Sequence, residues 1–279
     1  MPDFSFCFRH QQYSFGTYPA IMGIINITPD SFSDGGQFYS PEKALQHAQQ
    51  MVTDGADFID IGGESTRPGF APISEKEELA RVIPVIKAIR KDSNIAIPLS
   101  IDTRKANVAD AALEAGADIV NDVSALGDPA MPAVIKKHSA GAILMHAEKL
   151  SATADTLFVV QAYLQHRLQT AMKQTGLSKE FFLLDPGIGF GKNQEQNLTL
   201  LRHCNSFRIS GCGVLIGMSR KSFLGEMLKT PSPKERLAGT LSTALFCGMK
   251  GCEILRMHDV KETVQAFACQ KILQKEFDV

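Results

Sequence analysis

Two aspartates (Asp102, Asp185), an asparagine (Asn121), a lysine (Lys221) and an arginine (Arg256) stand where short apolar runs give way to polar or glycine-rich sequence. An ionised aspartate only accepts hydrogen bonds, asparagine accepts or donates, and lysine only donates. Arginine adds a planar cation able to stack on an aromatic face. Similar run ends carry Asn26, Asp30, Glu64, Thr66, Arg67, Arg104, Asp122, His146, Ser219, Arg220, His258 and Asp259. A purely structural rim has no need of so many ionisable groups. For any single aspartate the competing reading is a helix cap, and Met145 reads equally well as a core filler. No Ser/His/Asp or Cys/His arrangement of recognisable context accompanies the set, so a dedicated nucleophile is not indicated.

The runs that end in these residues are 21–28, 58–66, 97–103, 119–124, 142–146, 181–187, 213–219 and 253–259. Several, such as I-M-G-I-I-N and G-V-L-I-G-M, are apolar without alternation, as parallel strands buried on both faces require. The segments between them have helical spacing. Ser40-Pro41 supplies an N-cap and a proline in the first turn, Ser74-x-x-Glu77 and Asp259-x-x-Glu262 read as capping boxes, and 234–249 reads as one helix, apolar over much of its circumference. Strand then helix, repeated eight times over 279 residues, predicts an α/β chain folded as a single (β/α)8 TIM barrel, domain 1–279 with its core over about 20–275. An open doubly wound sheet is the competing architecture. In either, the chemistry belongs at the carboxyl ends of the strands.

Composition narrows the function further. A net charge of −1 with no Lys/Arg block gives no footprint for nucleic acid. The six cysteines (Cys7, Cys204, Cys212, Cys247, Cys252, Cys269) form no C-x2-C pair and read as reduced core thiols. No run of about 18 apolar residues occurs and the amino terminus lacks a signal-type apolar stretch, so a cytoplasmic protein without membrane contact is expected. The segment G-I-G-F-G-K (187–192) invites a phosphate-loop reading, but it lacks the Walker gap and its Ser/Thr. It is read instead as backbone passing close to a ligand, with Phe190 as a wall; a plain turn is the alternative.

The motifs I-M-G-I-I-N-I-T-P-D-S-F-S-D-G-G (21–36) and F-I-D-I-G-G-E-S-T-R-P-G (58–69) resemble those of the dihydropteroate synthases. So do S-I-D-T-R-K (100–105), I-V-N-D-V-S (119–124), L-L-D-P-G-I-G-F-G-K (183–192), I-G-M-S-R-K-S (216–222) and I-L-R-M-H-D-V (254–260). The resemblance departs after Met145-His146, where A-E-K-L-S-A-T-A-D (147–155) replaces the family's Gly/Pro-containing stretch.

The resemblance implies condensation of 6-hydroxymethyl-7,8-dihydropterin diphosphate with p-aminobenzoate, through departure of diphosphate and a cation-like pterin. It assigns Asp102, Asn121, Met145, Asp185, Phe190, Gly217, Lys221 and Arg256 to the pterin. Phe32, Thr66, Arg67, Pro68 and Ser222 go to p-aminobenzoate, and Asn26, Thr66, Arg67, Arg256 and His258 to the diphosphate. Lys221, Arg256, His258, Asp102 and Asp34 carry the catalysis, Asn26 lies by Mg²⁺, the loops 26–36 and 64–72 act as lids, and the chain forms a homodimer. Three readings compete: a pterin-binding methyltransferase barrel, which generally lacks the S-R-K-S and R-x-H strand ends; a silent pterin-binding paralogue; and a barrel aldolase or isomerase with Lys221 as the amine. Sulfonamide sensitivity is left open, since it depends on lid geometry.

Overall fold

Apolar runs without alternation become strands hidden on both sides. In the computed structural model, which describes residues 4–28, 40–64 and 72–274, the run AIMGIIN forms strand β3 (Ala20–Asn26), buried along its length until Asn26. It follows a short antiparallel hairpin of β1 (Ser5–Phe8) and β2 (Gln11–Ser14). After β3 come helix α1 (Pro41–Thr53), β4 (Phe58–Gly62), α2 (Glu75–Lys91), β5 (Leu99–Asp102), α3 (Ala106–Ala115), β6 (Ile119–Asp122) and α4 (Met131–His138). Then follow β7 (Gly141–Met145), α5 (Thr156–Thr175), β8 (Phe182–Asp185), α6 (Gln194–Arg202), β9 (Gly213–Ile216), α7 (Ser222–Leu228), α8 (Leu237–Met249), β10 (Ile254–Met257) and α9 (Val260–Gln274). Strands β3 to β10 pair in parallel and close in the order β10-β3-β4-β5-β6-β7-β8-β9. Closure of the ladder excludes the open doubly wound sheet.

The sequence pattern gave no element to residues 5–14, yet the hairpin there has a clear job. Phe6 and Phe8, two apart and therefore on one face of β1, are buried beneath the barrel with Met22, Phe58, Ile119, Ile143, Leu183, Leu215 and Ile254. They seal the end opposite the strand carboxyl termini. The larger apolar cluster lies between the strands and the helices.

The starts of α1 and α2 follow the expected chemistry with differences, and at α9 the Asp259 carboxylate goes to Arg220. Ser40 and Ser74 cap α1 and α2 by accepting from the amides of Lys43 and Glu77. The Ser74 box is only half made, because the Glu77 carboxylate pairs with Arg81 one turn on. A complete reciprocal box forms instead at Asn193 and Gln196, ahead of α6. The helix expected over 234–249 begins at Leu237, its first residues forming a 3-10 turn at Pro233–Arg236. All six cysteines are unpaired; four are buried, Cys7 is half-buried and Cys269 is exposed.

Strand register sets up the mouth. Asn26, Gly62, Asp102 and Asn121 lie side by side across β3, β4, β5 and β6, and Met145 lies beside Asp185 across β7 and β8. Residues from different runs are thus brought into one ring.

Candidate active site

The centre of the ring is an ionic cluster around Arg256 of β10. Its Nε donates to Asp60 Oδ2 at 2.6 Å, and a terminal nitrogen donates to Asp102 Oδ2 at 2.9 Å. Asn121 Nδ2 donates to the same Asp60 oxygen at 3.0 Å. Asp60 is fully buried. Neither Asp60 Oδ1 nor Asp102 Oδ1 accepts a hydrogen bond among the described residues. Burial pushes the Asp102 carboxyl up to about 7, with Arg256 opposing the rise and Asp60 adding to it. Burial would lower the Arg256 guanidinium, but Asp60 and Asp102 outweigh it and hold that group above its ordinary value. Asp102, expected to be ionised, is thus held well above the ordinary carboxylate range. Gly62 lies between Asn26 and Asp102: a Cβ there would be in ordinary contact with both, 3.6 Å from Asn26 Oδ1 and 3.7 Å from Asp102 Oδ2.

On the other side stand Asp185 and Lys221. Asp185 ends β8 and accepts from the Gly187 amide at 2.7 Å. Burial raises its carboxyl, against the pull of Lys221. Lys221 follows β9, and its ammonium donates to the Ile188 carbonyl at 2.5 Å and sits 4.6 Å from the centre of the Phe190 ring. Burial draws this lysine down to about 8, with Asp185 resisting. Gly217 lies between the two cations: a Cβ there would be 3.6 Å from Lys221 Nζ and 3.8 Å from Arg256 Cβ. Met145 is buried beside Asp185.

Around this centre the remaining strand-end residues divide. His258 Nδ1 lies 3.0 Å from Ser219 Oγ, which also accepts from the His258 amide. Arg220, in the left-handed region with φ 57°, pairs through its side chain with Asp259 and holds the turn before α7. Ser222 is the exposed first residue of α7. Asp122 is consumed by its own loop, accepting from Ser124 and Leu126. Glu64 bonds the Ile73 amide and the side chains of Lys105 and Arg104. Phe32, Asp34, Thr66, Arg67 and Pro68, as well as Asp30, lie outside the described residues.

Asp60 and Lys192 escaped the residue-by-residue reading. Asp60 stands inside an apolar run, not at its end, and an aspartate flanked by Ile59 and Ile61 in the middle of a fully buried strand is the signal that could have found it. Lys192 lies in the glycine-rich segment and bonds His146, a contact between residues far apart in the chain.

A (β/α)8 barrel whose mouth gathers carboxylates, a carboxamide and two cations is built to hold a polar heterocycle or an anionic leaving group. Residues 22–258 match the model of the pterin binding enzyme family. The chain belongs to that family, and within it to the dihydropteroate synthases. The dihydropteroate synthase of Bacillus subtilis is 46% identical over 243 residues, covering 87% of this chain and 84% of that one. The dihydropteroate synthase of Escherichia coli is 42% identical over 257 residues, covering 90% of each. Among solved structures, the Xanthomonas albilineans dihydropteroate synthase with 4-aminobenzoic acid superposes with a TM-score of 0.90 at 38% identity, covering 98% of each chain. The same enzyme in complex with 7,8-dihydropteroate gives 0.84 at 37%, covering 94% of this chain and 96% of that one.

Proposed function

We propose that the barrel mouth condenses 6-hydroxymethyl-7,8-dihydropterin diphosphate with p-aminobenzoate, giving 7,8-dihydropteroate and diphosphate. The observation that carries this reading is the buried Asp60–Arg256–Asp102 cluster with Asn121 on one wall and Asp185–Lys221 on the other. A pterin presents a donating edge, from its amino group and ring N–H, and an accepting edge. Asp102 and Asp185 accept from the first, Asn121 serves either, and Lys221 donates to the second. Charge-assisted hydrogen bonds contribute about 1.5–3 kcal/mol each, so a ligand lacking those donors leaves buried carboxylates unpaired and is rejected.

In the reaction the methylene–oxygen bond breaks with its electron pair leaving on the diphosphate. The aromatic amine then forms the new carbon–nitrogen bond and loses a proton. The chain's part is to hold the pterin, place the amine and supply positive charge where the oxygen departs, through Arg256 and His258. Arg67, Thr66, Phe32, Pro68 and Asp34 complete the sites for diphosphate and p-aminobenzoate in this reading, with Ser222 at the p-aminobenzoate carboxylate.

Mg²⁺ fits the donors present. The side-chain oxygen of Asn26 faces the mouth beside Gly62 and Asp102, and a hard cation takes oxygen ligands, often one or two from protein and the rest from substrate phosphates. Among the described residues, the one cluster of three potential ligands is Asp110, Glu114 and His138, on the outer helices α3 and α4. The ion belongs with the diphosphate in this reading, and when bound it neutralises charge on the leaving group.

No described helix is long and apolar enough to cross a membrane, and we place the enzyme in the cytoplasm. We also assign it a homodimer, on the exposed Met227, Leu228, Phe246 and Met249 of neighbouring helices α7 and α8. A Yersinia pestis dihydropteroate synthase has been solved as a sulfonamide drug complex, and this chain is expected to take sulfonamides at its p-aminobenzoate site. The test is diphosphate release from 6-hydroxymethyl-7,8-dihydropterin diphosphate and Mg²⁺ with and without p-aminobenzoate, alongside K221A. Release that needs p-aminobenzoate and collapses in the variant supports the synthase. Pterin binding without turnover transfers the chain to the silent or methyltransferase reading.

A further inference from the structure

The G-I-G-F-G-K segment carries a lysine that the proposed reaction does not use. Lys192 Nζ donates to the backbone carbonyls of His146 and Phe190, each at 2.9 Å, and lies 3.0 Å from His146 Nδ1. Among the described residues no carboxylate lies within ion-pair distance of it; burial draws the group down to about 7, and Lys221 lowers it further against Asp185. A half-buried lysine amine whose hydrogen bonds all go to neutral acceptors is a costly arrangement, so what it holds together is informative.

It holds one strand end to the loop of the next. His146 directly follows β7, and its ring packs edge to face on Tyr163 of α5 at 4.8 Å. Gly187 passes so near that a Cβ there would lie 1.9 Å from the His146 carbonyl oxygen and 3.3 Å from Lys192 Nζ. Farther along, the Gly191 carbonyl accepts from the Leu150 amide, and the Gln196 side chain donates to the Ser151 carbonyl. The segment 147–155, which departs from the family pattern, is thus laced to this loop. The inner side of the loop meets Lys221, through the Ile188 carbonyl and the Phe190 ring.

We propose that Lys192 is a positioning residue of the pterin site: it clips loop 187–191 to the end of β7, fixing the Ile188 carbonyl and Phe190 ring that place the Lys221 ammonium. The inference rests on the pterin reading of that site. In this role Lys192 acts through the loop and not by contact with either substrate. Its removal therefore weakens everything that depends on Lys221 being in place and spares the p-aminobenzoate side.

The experiment uses the full chain as wild type, K192M and K192R. It measures calorimetric affinity for 6-hydroxymethylpterin, which has no diphosphate, both KM values, and the melting temperature. In K192M the 6-hydroxymethylpterin Kd and the pterin diphosphate KM are each expected to rise about tenfold or more, with the p-aminobenzoate KM within about twofold. K192R puts a planar fork where three acceptors converge on one amine nitrogen, so the pterin Kd is expected to rise in it too, with the p-aminobenzoate KM within about twofold. Loss of affinity for the diphosphate substrate alone would make Lys192 a phosphate ligand and overturn the proposal. Both KM values rising together, or a pterin Kd unchanged in K192M, would overturn it as well. Should K192M fail to fold, K192R decides: a folded arginine variant whose two KM values rise together sinks the proposal. Failure of the underlying reading looks different, because then the wild type itself neither binds 6-hydroxymethylpterin nor releases diphosphate.

Discussion

Asp60 offers the sharpest test of how the mouth is organised. The substitution D60N keeps the shape and one acceptor oxygen while deleting a fully buried charge that accepts from Arg256 Nε and Asn121 Nδ2. A hydrogen bond to a charged group is worth about 1.5–3 kcal/mol and a neutral one about 0.5–1.5, so the Asn121 bond loses about 1–1.5 kcal/mol, while the Arg256 bond keeps its charged donor and loses the ion pair. If these bonds orient groups that meet the pterin in the transition state, a loss of about 1–1.5 kcal/mol from the Asn121 bond alone lowers kcat/KM for the pterin diphosphate by about 5–12-fold. Arg256 retains Asp102 as an ionic partner, so the fold should survive, with a melting temperature a few degrees lower. The assay is initial-rate diphosphate release at saturating p-aminobenzoate, with a thermal melt of the same preparation. A kcat/KM within about threefold of wild type in a folded D60N protein would refute the view that Asp60 sets the geometry of the cluster.

Further outcomes follow from the same geometry. The Asp102 carboxyl rises from 3.8 to about 7 on folding, so between those values the native state binds more protons than the unfolded one. Its contribution to stability therefore falls as pH rises from about 4 to about 7, while pterin affinity improves as the carboxylate ionises through about 7; the pterin KM measured against pH should show that inflection, and D102N should lack it. Gly187 has φ +71° with the His146 oxygen 1.9 Å from its Cβ position, whereas Gly176 has φ +74° with nothing within 4 Å. G176A should cost only the left-handed strain of about 1–2 kcal/mol, and G187A clearly more together with pterin binding; equal shifts in the two melts would contradict the close packing at His146. Chelating Mg²⁺ with EDTA should stop diphosphate release and leave the melting temperature unmoved, because among the described residues the mouth groups no three metal ligands; a melt that drops on chelation would point to a resident metal.

The barrel was legible in the sequence because its evidence is local. Each strand is an apolar run, four helices open on a capping side chain (Ser40, Ser74, Asp155 and Asn193), and the polar residues at 102, 121, 185, 221 and 256 stand at strand ends where an interruption of hydrophobicity shows. What was hidden depends on register and on partners far apart in the chain. Asp60 pairs laterally with Ile24 and Ser100 in the middle of the ladder, so only closure of the barrel reveals that it faces Arg256. The hairpin at 5–14 was missed because two phenylalanines in four residues are too short a pattern to stand out without the barrel floor that they fill. The Ser74 box failed in half because Arg81, one turn along α2, competes for the Glu77 carboxylate. Lys192 was overlooked for the same reason that the phosphate-loop reading tempted: a motif shows a lysine after glycines and does not show which carbonyls it meets.

The charge balance of the mouth bears on the proposed chemistry. Lys221 and Lys192 both act on Asp185, whereas Asp60 and Asp102 share the one guanidinium of Arg256, so with every group ionised that side of the cluster carries an excess of negative charge. Burial makes that excess costly, and the elevated Asp102 carboxyl is the result. A flat ligand that becomes positive as its leaving group departs would relieve the excess, which is stabilisation felt more strongly in the transition state than in the ground state. The same balance predicts which kinetic constant acid should damage. Protonating Asp102 removes the excess before the cation forms, so kcat should fall below about pH 7 along with affinity. If acid raises the pterin KM and leaves kcat untouched, Asp102 serves binding alone and the cationic path loses its electrostatic support.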